Sequence, residues 1–178
     1  QIEDVVLGCA FPEGEQGMNV ARTISIRAGL PDTVPAETIN RYCSSGVQSI
    51  AHVANAIQAG QIEVGIGGGV ESMSMVPMMG YKFSPNPHFA QDLPQYYTNM
   101  GLTAENVSVK YGITREQQDE FSLKSNQKAA KAVESGLFDP ELIPLDVEVN
   151  EYVDGKVVKK KFTVKRDEGP RGDSTLDG

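Results

Sequence analysis

Apolar positions along this chain change period several times, and each change predicts an element. Val5, Val6 and Leu7 stand side by side within Glu3 to Ala10 and end at Gly8, the signature of a short buried strand. From Met18 to Ala28, Val20, Ile24 and Ala28 recur at i, i+4 and i+8, which predicts a helix that Gly29 can end. Pro31 to Pro35 reads as a turn and Ala36 to Asn40 as a second strand. From Ser44 to Ala59 the apolar residues Val47, Ile50, Ala51, Ala54 and Ile57 return to helical spacing, with Gly60 closing the segment. Glu63 to Val70 reads as a third buried strand, rich in glycine. Strands alternating with helices predict right-handed crossovers and a largely parallel α/β sheet.

Near Ser74 the periodicity fades. Residues 75–100 hold Met75, Met78, Met79, four prolines, five aromatics and His88. A long irregular segment of this kind is functional or disordered, and its aromatic content argues that it packs. Thr103 is expected to cap a helix running through Lys110. Thr114-Arg115-Glu116-Gln117 is a capping box opening a helix to about Ser135, with Gly136 beyond it. Val147 to Val149 and Val157 to Val164 read as strands joined at Asp154-Gly155. Two domains are therefore expected: an α/β core over 1–73 and an α+β subdomain over 74–178.

Composition narrows the function classes. The formal charge is −8, from 16 basic and 24 acidic residues, and no broad basic face is evident. Nucleic acid is not the expected partner, because phosphate binding rests on clustered Lys and Arg. No apolar run approaches the ~20 residues that cross a bilayer. Only Cys9 and Cys43 are present, which is no disulfide framework and fits a reducing compartment. Gln1 enters almost directly into a strand and Gly178 follows a turn, so the chain reads as a piece of a longer protein.

The candidate chemistry sits at Asn40-Arg41-Tyr42-Cys43-Ser44-Ser45-Gly46. It places a cysteine where a strand hands over to a helix. Unpaired backbone N–H groups and the helix dipole favour a thiolate there, and the thiolate is the nucleophilic form. A lone cysteine is more often a small buried hydrophobe, but its neighbours favour function. Ser44 and Ser45 suit a first helical turn, and Gly46 allows a close approach.

Other conspicuous residues have plainer readings. Gly65-Ile66-Gly67-Gly68-Gly69 fails the dinucleotide pattern because Val70 stands where the third glycine belongs; close backbone packing is the better account. His52 reads as a surface residue of the second helix and His88 as a loop contact. Lys156, Lys159, Lys160, Lys161, Lys165 and Arg166 read as a solvated strand face that blunts an edge. No metal-ligand spacing appears.

The seven residues around Cys43 resemble the thiolase nucleophile motif, Asn-x-x-Cys-x-Ser-Gly. Gly67-Gly68-Gly69-Val70-Glu71-Ser72-Met73-Ser74 resembles the segment that follows it in that family. Met100-Gly101-Leu102-Thr103-Ala104-Glu105-Asn106-Val107, Arg115-Glu116-Gln117-Gln118-Asp119 and Ser125-Asn126-Gln127-Lys128-Ala129 extend the likeness over nearly the whole chain. Val70-Glu71-Ser72 looks more like the degradative 3-ketoacyl-CoA branch than the biosynthetic acetoacetyl-CoA branch.

The resemblance implies a thiolase-like N-terminal α/β core carrying an inserted α+β loop subdomain. It implies an acyltransferase of fatty acid β-oxidation, in which Cys43 carries the acyl group and coenzyme A is a co-substrate rather than a bound cofactor. Met100 would lie near the acyl and pantetheine end of the tunnel, and Arg171 matches an arginine that contacts the CoA nucleotide. A homodimer or homotetramer is implied, in the cytoplasm of a bacterium or in a peroxisome or mitochondrion of a eukaryote. Complete thiolases also carry a Gly-His-Pro histidine, an Asn-Glu-x-Phe segment and a second cysteine in Cys-x-Gly-Gly-Gly, none of which occurs here. The chain alone is therefore expected to be inactive or nearly so. Two other readings stay open: a ketoacyl-synthase-like condensing enzyme, and a non-catalytic acyl-CoA or lipid-binding module.

Overall fold

The structure, a computed structural model, describes residues 1–177. It divides into two compact units, Gln1–Pro94 and Gln95–Gly178. In the first, strand β1 (Asp4–Gly8) leads through helix α1 (Val20–Arg27) to β2 (Ala36–Ile39), and helix α2 (Ser45–Gln58) leads on to β3 (Gly65–Gly69). The strands form one sheet in the order β2-β1-β3, parallel throughout, with Val6 opposite Glu37 on one side and Gly67 on the other. This is the expected α/β arrangement.

The helices cover opposite faces of the sheet. Val5 and Leu7 pack with Ala21 and Val34, whereas Gly8 abuts Ser45 of α2, and side chains alternate along a strand. The buried stripes on both helices differ from those that apolar periodicity suggests. On α1 the buried residues are Val20, Ala21 and Ser25, while Ile24 and Ile26 are exposed. On α2 they are Ser45, Ser49 and Val53, while Val47 is 74% and Ile50 56% exposed. On α2 the cause is close packing. A Cβ on Gly67 would stand 2.8 Å from the Ile50 Cα, and one on Gly65 would stand 2.8 Å from Val53 Cγ1. Glycines in β3 and small residues on α2 let backbone meet backbone, and the larger apolar side chains are turned outward.

Residues 74–94 are more ordered than an irregular segment. Val76 is buried, and helix α3 (Pro87–Asp92) opens with the Asn86 side chain accepting from the His88 and Phe89 N–H groups.

In the second unit, helix α4 (Met100–Tyr111) starts earlier than the sequence suggests. Its cap is Asn99, whose side chain accepts from Leu102 N–H; Thr103 lies inside the helix and donates its hydroxyl to Asn99 O. Gly112, at φ 63°, ends it. Helix α5 (Arg115–Glu134) opens with the reciprocal Thr114–Gln117 capping box. Strands β4 (Leu145–Val153) and β5 (Lys156–Val164) form an antiparallel hairpin, with positive φ at both Asp154 and Gly155, as a type I′ turn requires. Lys159 and Lys161 pair with Glu148, and Lys160 with Glu151, so half of the basic strip meets carboxylates on the neighbouring strand. None of the described residues of this unit is buried.

Candidate active site

Because β1, β2 and β3 run the same way, their C-terminal ends share one edge of the sheet, the usual place for a site in a parallel α/β fold. Three segments meet there: the loop after β1, the turn between β2 and α2, and the loop after β3.

Cys43 lies in the middle segment, just before Ser44, the residue that caps α2, and its thiol is exposed. Hydrogen bonds fix the turn from several directions. Asn40 Oδ1 accepts from Tyr42 N–H at 2.8 Å, and Asn40 Nδ2 donates to Ala10 O at 2.9 Å. Ser45 Oγ accepts from Arg41 N–H at 2.8 Å and donates to Tyr42 O at 2.6 Å. Ser44 Oγ donates back to Arg41 O at 3.0 Å. The two serine hydroxyls thus hold the turn rather than bonding to N–H groups further along the helix. Tyr42 adopts φ 47°, a left-handed conformation uncommon outside glycine. Its ring meets Phe11 with centroids 6.2 Å apart.

The loops after β1 and β3 are joined through one carboxylate. Glu71 Oε2 accepts from Ala10 N–H at 2.7 Å, and Oε1 accepts from Phe11 N–H at 3.3 Å and from the Gln16 side-chain amide. Buried Gln16 also donates to Phe11 O at 2.8 Å and accepts from Ser72 N–H at 2.7 Å. Cys9 Sγ points at Glu71 Oε1 from 3.7 Å. Burial, with the Glu71 charge beside it, pushes the Cys9 thiol up. Further out, Tyr81 N–H donates to Glu13, and Tyr81 Oη donates to Met75 O at 2.6 Å with Glu15 Oε2 at 3.0 Å. Sequence reasoning missed Gln16 altogether and took Glu71 only as part of a motif. Neither shows its partners locally, since they lie 55 residues apart.

The remaining candidates are elsewhere. His52 is half-exposed on α2, with Nδ1 3.8 Å from Glu37 Oε1, and His88 is exposed at the start of α3. Met100 begins α4 in the second unit and is 67% exposed. Arg171 is also in that unit, where its N–H donates to Asn126 Oδ1 of α5 at 3.1 Å. Among the described residues, no group of three or more His, Cys, Asp or Glu is placed to hold a metal ion. No described helix is long and apolar enough to cross a membrane.

A family model described as thiolase, N-terminal domain, matches residues 1–178. A 3-ketoacyl-CoA thiolase of Bacillus subtilis is 52% identical over 177 residues, which is 99% of this chain and 45% of that protein. An acetyl-CoA acetyltransferase of Escherichia coli is 38% identical, covering 99% of this chain and 46% of the relative. The crystal structure of the Bacillus anthracis acetyl-CoA acetyltransferase superposes with a TM-score of 0.78 at 37% identity, covering 99% of this chain and 45% of that one. The chain belongs to the thiolase family and corresponds to its N-terminal domain. It spans less than half the length of these relatives.

Proposed function

We propose that this chain is the nucleophile-bearing part of an acyltransferase that cleaves 3-ketoacyl-CoA with coenzyme A. One observation carries the reading: an exposed thiol, Cys43, presented on a tightly bonded turn at the C-terminal edge of a parallel sheet, ahead of a helix N-terminus. The names of the relatives support the substrate class, and the 52% identity with a 3-ketoacyl-CoA thiolase supports the degradative branch.

In this reading the Cys43 thiolate attacks the 3-keto carbon, forming the S–C bond while the carbonyl π electrons move onto oxygen. Collapse of that oxyanion breaks the C2–C3 bond. Sγ keeps the shortened acyl group as a thioester, and the electron pair leaves as the acetyl-CoA enolate. An acid protonates C2 of the enolate. The thiolate of a second CoA then attacks the thioester carbonyl, releasing the shortened acyl-CoA and restoring Cys43. The Cys43 backbone N–H, at the start of α2, would donate to the oxyanion. The base and the acid would come from the half of the protein beyond this chain, because neither His52 nor His88 suits the role.

We infer further that residues 1–73 form the core and 74–178 the insertion subdomain, with Met100 beside the acyl and pantetheine arm and Arg171 on the CoA nucleotide. The outward Val47 and Ile50 side chains of α2 support burial of that face by the second half or a second copy, consistent with a homo-oligomer. Coenzyme A acts as co-substrate throughout.

The test is mass spectrometry of the complete enzyme after brief exposure to acetoacetyl-CoA. An acetyl adduct on Cys43, and loss of turnover in Cys43→Ser, is the expected result. An adduct on another residue, or turnover surviving in Cys43→Ser, overturns the reading.

A further inference from the structure

We propose that Glu71 is a positioning residue for Cys43, acting through the Ala10–Phe11 segment and Asn40; the proposal rests on Cys43 being the nucleophile. A continuous path of contacts joins the two residues. The Glu71 carboxylate accepts from the Ala10 and Phe11 N–H groups. Ala10 O in turn accepts from Asn40 Nδ2, and Asn40 Oδ1 accepts from Tyr42 N–H, one residue before the thiol. A second link runs beside the first, because the Phe11 ring packs against the Tyr42 ring.

The turn needs such a hold. A tyrosine at φ 47° is in a sparsely populated conformation that persists only where its surroundings enforce it. Asn40 supplies the local restraint, and the Ala10 carbonyl against which Asn40 is braced is fixed in turn by Glu71. If that carbonyl shifts, Asn40 rotates and the thiol moves with Tyr42.

The chemistry of the clasp calls for a carboxylate rather than an amide. Four donors converge on two oxygens: Ala10 N–H on Oε2, and Phe11 N–H, the Gln16 amide and the Cys9 thiol on Oε1. Glutamine at 71 would turn an N–H group toward one of these donors whichever way its amide pointed. One backbone N–H or the Gln16 amide would lose its acceptor, and the segment would loosen.

The experiment uses the complete enzyme, with thiolysis of acetoacetyl-CoA and iodoacetamide labelling as separate readouts. Glu71→Gln is expected to lower kcat about 10- to 100-fold, the scale of an ångström-sized misplacement. KM should stay within about twofold, since no substrate contact is removed. Cys43 alkylation by iodoacetamide, which needs no CoA site, should change rate in the same variant. In an Asn40→Ala background, Glu71→Gln should cost a smaller factor than in the wild type, because part of the path is already cut. If Glu71→Gln does not fold, Gln16→Leu tests the same clasp and should lower kcat with KM unchanged. A Glu71→Gln enzyme with wild-type kcat, or a loss that multiplies independently with Asn40→Ala, overturns the positioning role. Turnover retained in Cys43→Ser instead overturns the underlying reading, so the two failures are distinguishable.

Discussion

Gly8 and Ser45 meet with no room for a side chain between them: a Cβ on Gly8 would stand 2.6 Å from the Ser45 Cβ. Ser45 is also the residue whose hydroxyl ties Arg41 to Tyr42, so the sheet and the Cys43 turn are fitted through one contact. Gly8→Ala is expected to destabilise the fold by about 1–3 kcal/mol, the usual cost of overpacking. Urea unfolding of the variant checks this; an unchanged midpoint would contradict the packing described.

The two cysteines should differ sharply toward alkylating reagents. Cys43 is exposed, whereas Cys9 is 1% exposed and its thiol is pushed up by burial and by Glu71. Limited iodoacetamide followed by peptide mapping is expected to find the label on Cys43 well before Cys9. Equal labelling in native protein would count against both the burial of Cys9 and the presentation of Cys43.

Ser49 shows how α2 is fastened to β3. It is fully buried, and its Oγ lies 2.6 Å from Gly68 O and 2.7 Å from Gly46 O. Ser49→Ala removes this donor and is expected to cost about 1 kcal/mol. Ser49→Val should cost more, because the helix cannot retreat from the glycine strand. Chemical denaturation of the two variants ranks them.

Glu3 gives the fold an acid-sensitive fastening. Its carboxylate accepts from Glu63 N–H at 2.5 Å and Val64 N–H at 3.4 Å, and these bonds hold its pKa below the ordinary glutamate range. A carboxylate lowered on folding adds stability that is fully present above the unfolded pKa and lost as pH falls through the folded one. Wild type should therefore exceed Glu3→Gln in unfolding midpoint at about pH 7, with the gap closing as pH falls through and below the ordinary glutamate range. A gap that widens in acid would reverse the sign.

The 178-residue chain by itself is expected to show no thiolysis of acetoacetyl-CoA at an enzymatic rate. His52 does not supply a base beside Cys43. His52 lies about 10 Å along α2 from its start, at ~1.5 Å per residue, and faces Glu37. Spectrophotometric assay of the purified chain settles the point; normal turnover would require a base within it.

Much of the fold could be read from local pattern. The β1, β2 and β3 runs, the Thr114 box and the Asp154-Gly155 turn all follow from nearest neighbours along the chain, and each forms where expected, although β3 is only partly covered rather than buried. Family membership was legible too, from ordered motif blocks rather than from periodicity. What could not be read was direction. Ile24 and Ile50 occupy the apolar positions of their helices yet face outward; for Ile50 this is because the side that α2 buries depends on the glycines it meets in β3, which the pattern of the helix itself does not show. The cap of α4 was misplaced for a related reason. Asn99 and Thr103 are both plausible caps by type, and only the backbone course separates them. The Glu71 clasp joins loops that sequence brings nowhere near each other.

The glycines that admit α2 so closely leave a further mark on β3. Among the described residues β3 pairs only with β1, so its outer rim, over Gly65-Ile66-Gly67-Gly68-Gly69, is an unpaired strand edge. That stretch has no lysine, proline or bulge to discourage a newcomer. Left open, that rim should make the polypeptide adhesive, recruiting foreign strands by backbone pairing.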